Sequence, residues 1–510
     1  LPMPQDRPSE SASSSIPAPP ASPPLERSFF GHPRGLATLF FTELWERFSY
    51  YGMRAILILF MTASAATGGL GLDVAVAGAI YGLYTSGVYM MSLPGGWVAD
   101  RILGQRRAVL VGGVLIALGQ FCLAVPGPPA LFYSGLLIIV LGTGLLKPNI
   151  STMVGQLYAP GDPRRDAGFS IFYMGINLGA FFAPLVVGWV GQRVDWHLAF
   201  ALAGIGMTLG LIQYAAGGKA LGNAGLRPVE PRTPEEKQVW HRQFRYGLAG
   251  LAAVLALVAA LGLSGAASTV GIANGFGAAL LILVAALFGW LFFAADWSPV
   301  ERKRLVVVGV LFLAASLFWS AFEQAGSTLN LFAQRATRTR IFGFDFPASW
   351  LQSVNALFII LLAPVFAWLW VRLGRREPGS PAKFSLGLIS LGAGFAVLAL
   401  GATYTLGGEQ VSPMWLIVTY LLHTIGELCL SPVGLSAMTK LAPVRVAGLM
   451  MGVWFMSNAV GNYIGGRLAS FYEALPLPAL FGVIAAFAIG AGLILAVFVR
   501  PMNRLMGGVK

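Results

Sequence analysis

Charge is scarce in this 510-residue chain: Asp, Glu, Lys and Arg make up 11% of it, less than half of the roughly 25% found in soluble globular domains. One water-facing domain around a buried core cannot have this composition. Only two cysteines are present, Cys122 and Cys429, both inside apolar runs, so a disulfide framework is excluded. The four histidines, His32, His197, His241 and His423, lack the spacing of a metal site. No G-x-x-x-x-G-K-[ST] loop occurs, which speaks against a pump driven by ATP within this polypeptide. Neither a cofactor, a nucleic acid, an obligatory protein partner nor an enzymatic reaction is called for.

What the chain has is apolar length. Hydrophobic residues make up 56%, the mean hydropathy is +0.72, and several apolar runs are long enough to cross a bilayer. Residues 1–34, rich in Pro and Ser ("SASSSIPAPPASPP"), hold no signal-peptide core and read as a disordered cytoplasmic tail. The Leu1 start points to processing or an engineered end. Apolar blocks then recur at about 36–62, 75–99, 106–125, 130–155, 168–191, 197–217, 242–263, 275–295, 305–332, 347–371, 383–403, 411–439, 446–469 and 476–500, which predicts fourteen transmembrane helices in an all-α membrane protein.

Lys and Arg set the orientation. With the N-terminus inside, only Arg193, Arg335, Arg338 and Arg340 fall in outer loops, and Arg47, Arg54, Lys147 and Arg467 fall within helices. The remaining cations are cytoplasmic, so both termini are expected inside. The Arg335–Arg340 cluster breaks the rule. "GGWVADRILGQRR" after the second span and "WLWVRLGRR" after the tenth are similar basic turns, the mark of a duplicated six-helix bundle. The division is then 35–217 for the first bundle, 218–300 for a linker with two extra spans, 301–500 for the second bundle and 501–510 for a cytoplasmic tail. The extra spans are nearly free of charge and read as lipid-facing scaffold or an inter-bundle linker.

Ionisable groups in hydrocarbon are costly and persist chiefly where they face a cavity or one another. Glu43, Glu46, Arg47, Arg54, Lys147, Glu323 and Glu427 stand inside helices. Steps of three and four put Glu43, Glu46, Arg47, Tyr50, Tyr51 and Arg54 on one broad face of the first span, more than a packing pair needs. Lys147 precedes Pro148, which should disturb the fourth span, and two upstream glycines allow a neighbouring helix to come close. Glu323 and Glu427 give the second half one deep carboxylate on each of two helices, and Glu323 is the first candidate to load and release a proton by alternating between a cationic partner and none. His423 reads as a packing residue more than a coupling group. Asn177, Asn355 and Asn458 can read amides, while Tyr89, Trp319 and Trp454 supply ring faces. Carboxylates at one end, cations at the other and amide readers between imply a zwitterionic ligand.

These residues carry a resemblance to the proton-coupled oligopeptide transporters, a branch of the major facilitator superfamily. Glu43 to Gly52 reads ExxERFxYYG, Phe172 to Gly179 is similar to the fifth-helix signature, and Gly96, Asp100, Arg101, Gly104 and Arg106 resemble the facilitator loop that latches the cytoplasmic side. The resemblance implies two pseudo-symmetric six-helix bundles plus two additional helices, of bacterial type, in the cytoplasmic membrane. It implies import of di- and tripeptides with protons by alternating access. Arg47 and Lys147 would meet the peptide carboxylate, Asn177, Asn355 and Glu427 its amino end and backbone, and Tyr51, Tyr89, Trp319 and Trp454 its side chains. Glu43 and Glu46 would serve proton coupling, with Glu323 exchanging a salt bridge with Arg47. Animal members use a second-helix histidine; this chain has none there, so its proton route would rest on carboxylates. The competing readings are a symporter for another small solute and a peptide-binding membrane receptor that moves nothing.

Overall fold

The computed structural model describes residues 27–507 apart from 295 and 342. Most of the expected N-terminal tail, residues 1–26, and residues 508–510 lie outside the described residues. Residues 27–34 are not tail. Arg27–Phe29 (β1) and His32–Pro33 (β2) pair as an antiparallel hairpin, turned at Phe30 and Gly31, with φ of 48° and 79°. Two consecutive positive φ values match the twist of paired strands. The Phe29 ring packs on Phe40 and Phe41, and His32 Nδ1 lies 2.9 Å from the Tyr158 hydroxyl.

The helices are α1 (Arg34–Thr62), α2 (Val74–Val98), α3 (Gln105–Ala124), α4 (Pro129–Gln156), α5 (Arg165–Arg193), α6 (Trp196–Ala216), α7 (Pro234–Leu263), α8 (Thr269–Gly289), α9 (Pro299–Phe322), α10 (Thr328–Arg335), α11 (Ser353–Leu373), α12 (Ser380–Thr403), α13 (Met414–Leu441), α14 (Ala447–Ala469) and α15 (Leu477–Leu505). α9 and α10 are two parts of one span. Among the described residues, twelve helical runs are long and apolar enough to cross a membrane by length and composition. The other two of the fourteen, α1 and α14, are 29 and 23 residues long; the charged cluster in α1 and the Asn and Gly content of α14 dilute their hydropathy.

Two helix edges and one helix interior differ from expectation. α7 starts at Pro234, because the Thr233 side chain caps Glu236 N and acidic residues fill the first turn. α15 runs through Pro501 to Leu505 instead of giving way to a tail at 501. One lost i→i−4 bond is tolerated there, where Met502 and Met506 are buried. α4 also stays continuous through Pro148, and the Asn149 amide donates to Leu145 O at 2.7 Å beside it.

Glycines set how close the helices come. A Cβ on Gly144 would sit 2.7 Å from the Met91 Cβ, and one on Gly142 2.6 Å from Gly112 O. In the two basic turns Gly104 and Gly374 both take positive φ, 78° and 50°, but their ψ angles differ, 147° and −113°. α1–α6 pack among themselves, as do α9–α15, with α2 against α14 and α5 against α11 across the divide. α8 rests on both α2 and α14, where Gly277 leaves room for the Tyr463 ring. The start of α7 is tied to the α2–α3 turn by Arg101, whose guanidinium lies 5.5 Å from the Trp97 ring and 5.2 Å from that of Trp240. Arg106 holds the connection after α6 through Ala224 O and Gly222 O. In this state the facilitator-like turn therefore grips the linker. The basic Arg335–Arg340 loop is partly neutralised: Arg335 pairs with Glu473 at 2.6 Å, and Arg340 approaches Asp345 at 3.8 Å within a small hairpin.

Candidate functional site

The span formed by α9 and α10 breaks in a 3-10 turn at Glu323–Gly326. Ser327 N bonds Gln324 O there, so Glu323 O is free of its ordinary helical donor. Arg54 of α1 uses that opening. Its Nη2 donates to Glu323 O at 3.2 Å and pairs with Glu323 Oε2 at 2.6 Å, while Nε donates to the Tyr81 hydroxyl at 2.6 Å. A Cβ on Gly326 would lie 2.0 Å from Tyr81 Oη and 2.7 Å from Arg54 Nε, so this meeting requires glycine. Arg54 and Glu323 are both 5% exposed.

The expected partner of Glu323 was Arg47, and in this state it is Arg54. Arg47 lies about two turns earlier on α1 and is occupied: Nε pairs with Glu43 at 3.1 Å and also with Glu46. Its guanidinium lies 5.3 Å from the Tyr50 ring. Gly179 of α5 packs against this turn, where a Cβ would come 2.4 Å from Leu44 O. Glu43 Oε2 and Glu46 Oε1 are buried acceptors without a hydrogen-bond partner among the described residues.

Lys147 Nζ lies 3.8 Å from the centroid of the Tyr89 ring, a cation–π contact. Among the described residues no carboxylate comes within 4 Å of it. Tyr51 lies between the two cationic centres of α1, 5.9 Å from the Arg54 guanidinium.

On the other side, Asn355 Nδ2 donates to Thr424 Oγ1 at 2.9 Å and to Glu427 Oε2 at 3.3 Å, so α11 and α13 orient that carboxylate together. Trp319 and Trp454 meet edge to face at 6.4 Å, and the buried Trp319 Nε1–H has no hydrogen-bond partner among the described residues. Asn177 and Asn458 each donate one amide hydrogen to the carbonyl four residues back, at 2.9 and 3.0 Å, so only part of their hydrogen-bonding capacity faces outward. His423 is 1% exposed and packs on Phe395 at 4.8 Å.

Sequence reasoning placed Arg54 on the charged face and gave it no part to play; it missed Tyr81 altogether. The signal for Arg54 was present, since it stands seven positions after Arg47 on one helical face.

One face of the molecule, opposite the N-terminus of α1, is bolted shut. Asn330 and Gln352 both donate to Ala55 O, at 2.8 and 3.3 Å. Ser349 N donates to Gln192, Trp350 Nε1 to Leu185 O and Ser353 Oγ to Phe181 O. Arg54–Glu323 is the innermost of these ties from α1.

A model described as the POT family matches residues 106–241 and 296–484. The chain belongs to that family. It is 43% identical over 508 residues to the Peptide transporter YePEPT of Yersinia enterocolitica, covering 96% of this chain and 98% of that one. It is 40% identical to the Di-/tripeptide transporter of Lactococcus lactis, covering 95% and 99%. A crystal structure of peptide transporter POT in complex with sulfate superposes with a TM-score of 0.90 at 46% identity, covering 95% of this chain and 98% of that one. As a POT family member the chain has the facilitator fold read from its sequence.

Proposed function

We propose that this POT family member is a proton-coupled symporter that imports di- and tripeptides across the bacterial cytoplasmic membrane, with both termini cytoplasmic. The bundles at 35–217 and 301–500 rock about the central site, and the linker at 218–300 rides between them. No covalent chemistry takes place. The proton gradient supplies the work, and peptide affinity must differ between the two access states.

Lys147, with Arg47 behind it, receives the peptide carboxylate. Glu427, oriented by Asn355, receives the amino group. Asn177 and Asn458 meet the backbone, and Tyr51, Tyr89, Trp319 and Trp454 surround the side chains. Glu43 and Glu46 hold Arg47 and take part in proton coupling.

The observation that carries this reading is the Arg54–Glu323 pair, a desolvated ion pair that joins the bundles at the sealed face, one step from the peptide site. A proton arriving on Glu323 removes the negative partner and loosens that face, so proton loading and outward opening become one event. The Asn330 and Gln352 bonds to Ala55 O keep the face closed when Glu323 is charged.

Labelled dialanine in proteoliposomes tests the proposal. An inward acid pulse should drive accumulation above equilibrium, and an uncoupler should abolish it. Binding without accumulation would identify a receptor. Accumulation of other solutes with no competition by dipeptides would identify a different symporter.

A further inference from the structure

Away from the central site, a groove of about 460 Å³ opens between the start of α9 and the end of α15, on the face that carries the α1 N-terminus. Trp297, Pro299, Arg302, Lys303, Val306 and Leu505 line it. None of them enters the transport reading. The walls are apolar and the rim is cationic. Val306 is 46% exposed, Arg302 and Lys303 are exposed, and among the described residues neither has a carboxylate within ion-pair distance. The nearest acid in sequence, Glu301, is committed to the helix cap, accepting from Ser298 N and Oγ at 2.9 and 2.8 Å.

The floor is firmly held. Trp297 Nε1 donates to Leu291 O at 2.6 Å. Arg445 lies with its guanidinium 4.9 Å from the Trp297 ring and donates from Nη2 to Asp296 O at 2.7 Å. Arg500 and Arg504 stand exposed on the last turns of α15. Two membrane spans end here, with a tryptophan at their junction, so the groove sits at the depth where headgroups meet acyl chains. A free anion has no use for the apolar walls, and a neutral lipid has none for the unpaired cations.

We propose that the groove binds one anionic phospholipid, its phosphate on Arg302 and Lys303 and an acyl chain along Val306 and Leu505. Basic side chains at the ends of spans attract anionic headgroups, and each lost cation weakens that attraction several-fold. Because both walls belong to α9 and α15, the lipid joins the two ends of the second bundle.

The test is native mass spectrometry of the full-length protein titrated with dioleoylphosphatidylglycerol or dioleoylphosphatidylcholine. Arg302→Gln/Lys303→Gln is compared with Arg375→Gln/Arg376→Gln, an equal loss of charge at exposed positions after α11. Dipeptide binding checks that each variant is folded. Phosphatidylglycerol should bind roughly 30-fold more weakly to the groove variant and within about twofold of the parent to the other; phosphatidylcholine should bind the parent weakly. Val306→Asp should also weaken phosphatidylglycerol with both cations intact. Equal losses in the two double variants, or unchanged binding in Val306→Asp, would overturn the site in favour of general surface charge. Displacement of phosphatidylglycerol by millimolar inorganic phosphate would overturn it in favour of a free phosphate site.

Discussion

Arg54 and Glu323, 269 residues apart in the chain, meet at 2.6 Å where the second bundle's first span breaks, and the Tyr81 hydroxyl holds the same guanidinium from its other side. A buried pair of this kind contributes little net stability, but losing one partner costs about 3–5 kcal/mol because the other charge stays buried alone. Reversing a two-state equilibrium from 1:99 to 99:1 takes about 5.5 kcal/mol. On the proposed mechanism, one proton on Glu323 would therefore act on the scale needed to change which face is open.

Glu323→Gln should abolish accumulation driven by a proton gradient while leaving peptide counterflow measurable, because glutamine holds the protonated shape without the charge cycle. Both are read in the same vesicles. Accumulation at the level of the parent would remove Glu323 from the coupling mechanism.

Gly326→Ala should separate Arg54 from Glu323 with both residues left in the sequence. Its Cβ would meet Tyr81 Oη at 2.0 Å, and Tyr81, 1% exposed, has no room to retreat. Overpacking of this kind costs about 1–3 kcal/mol, so proton-driven uptake should fall on the order of tenfold, with a lower Tm. Adding Tyr81→Phe removes the clashing oxygen and should recover part of the loss. If the single variant takes up dialanine normally, the close meeting at the break is not needed for transport.

Much of this was legible in the sequence because charge in hydrocarbon is so constrained. The face of α1 from Glu43 to Arg54, the deep Glu323 and the oriented Glu427 all follow from the cost of burying them. Which arginine meets Glu323 did not follow. That depends on where α1 crosses the 3-10 turn, and the glycine permitting the approach looks like any other glycine in a chain with 64 of them. The hairpin at residues 27–33 was hidden by the Pro- and Ser-rich residues before it, since its anchor, Tyr158, lies 126 positions from His32. The basic Arg335–Arg340 loop looked anomalous because a count of Lys and Arg leaves out the acids that answer them, Asp345 in the same loop and Glu473 far along the chain. For Asn177 and Asn458, residue type indicated hydrogen bonding, but only the helix geometry revealed that each spends a donor on its own backbone.

Lys147→Ala should reduce dipeptide uptake severely, at least tenfold, since Arg47 is already engaged by Glu43 and Glu46 while Lys147 lies over the Tyr89 ring with no carboxylate within 4 Å among the described residues; the tenfold figure corresponds to about 1.4 kcal/mol. Lys147→Arg should not restore the parent rate, because a planar guanidinium cannot take the place of a compact ammonium over that ring. Uptake by the Ala variant within about twofold of the parent, under 0.5 kcal/mol, would reduce Lys147 to a packing residue.

The orientation of the bound peptide is the sharpest consequence of the charge arrangement. Lys147 stands on the first bundle with no carboxylate within 4 Å among the described residues, and Glu427 stands on the second, turned by Asn355, which also donates to Thr424, so a zwitterion should lie across the divide with its carboxylate toward the first bundle. Each terminus then helps to draw the bundles together only when the other is also present, which lets one site demand a short peptide without reading its sequence. Blocking an end leaves a protein charge poorly paired, a loss of about 2–5 kcal/mol for a fully desolvated pair, and less where water reaches the cavity. Competition against labelled dialanine should therefore rank the free dipeptide above its N-acetyl and C-amide forms. Glu427→Gln should narrow the penalty for the N-acetyl form and leave that for the C-amide form in place, whereas Lys147→Ala should do the reverse. Were both blocked forms to compete as well as dialanine against the parent protein, the two-ended charge clamp would give way to a pocket that reads amides and apolar surface alone.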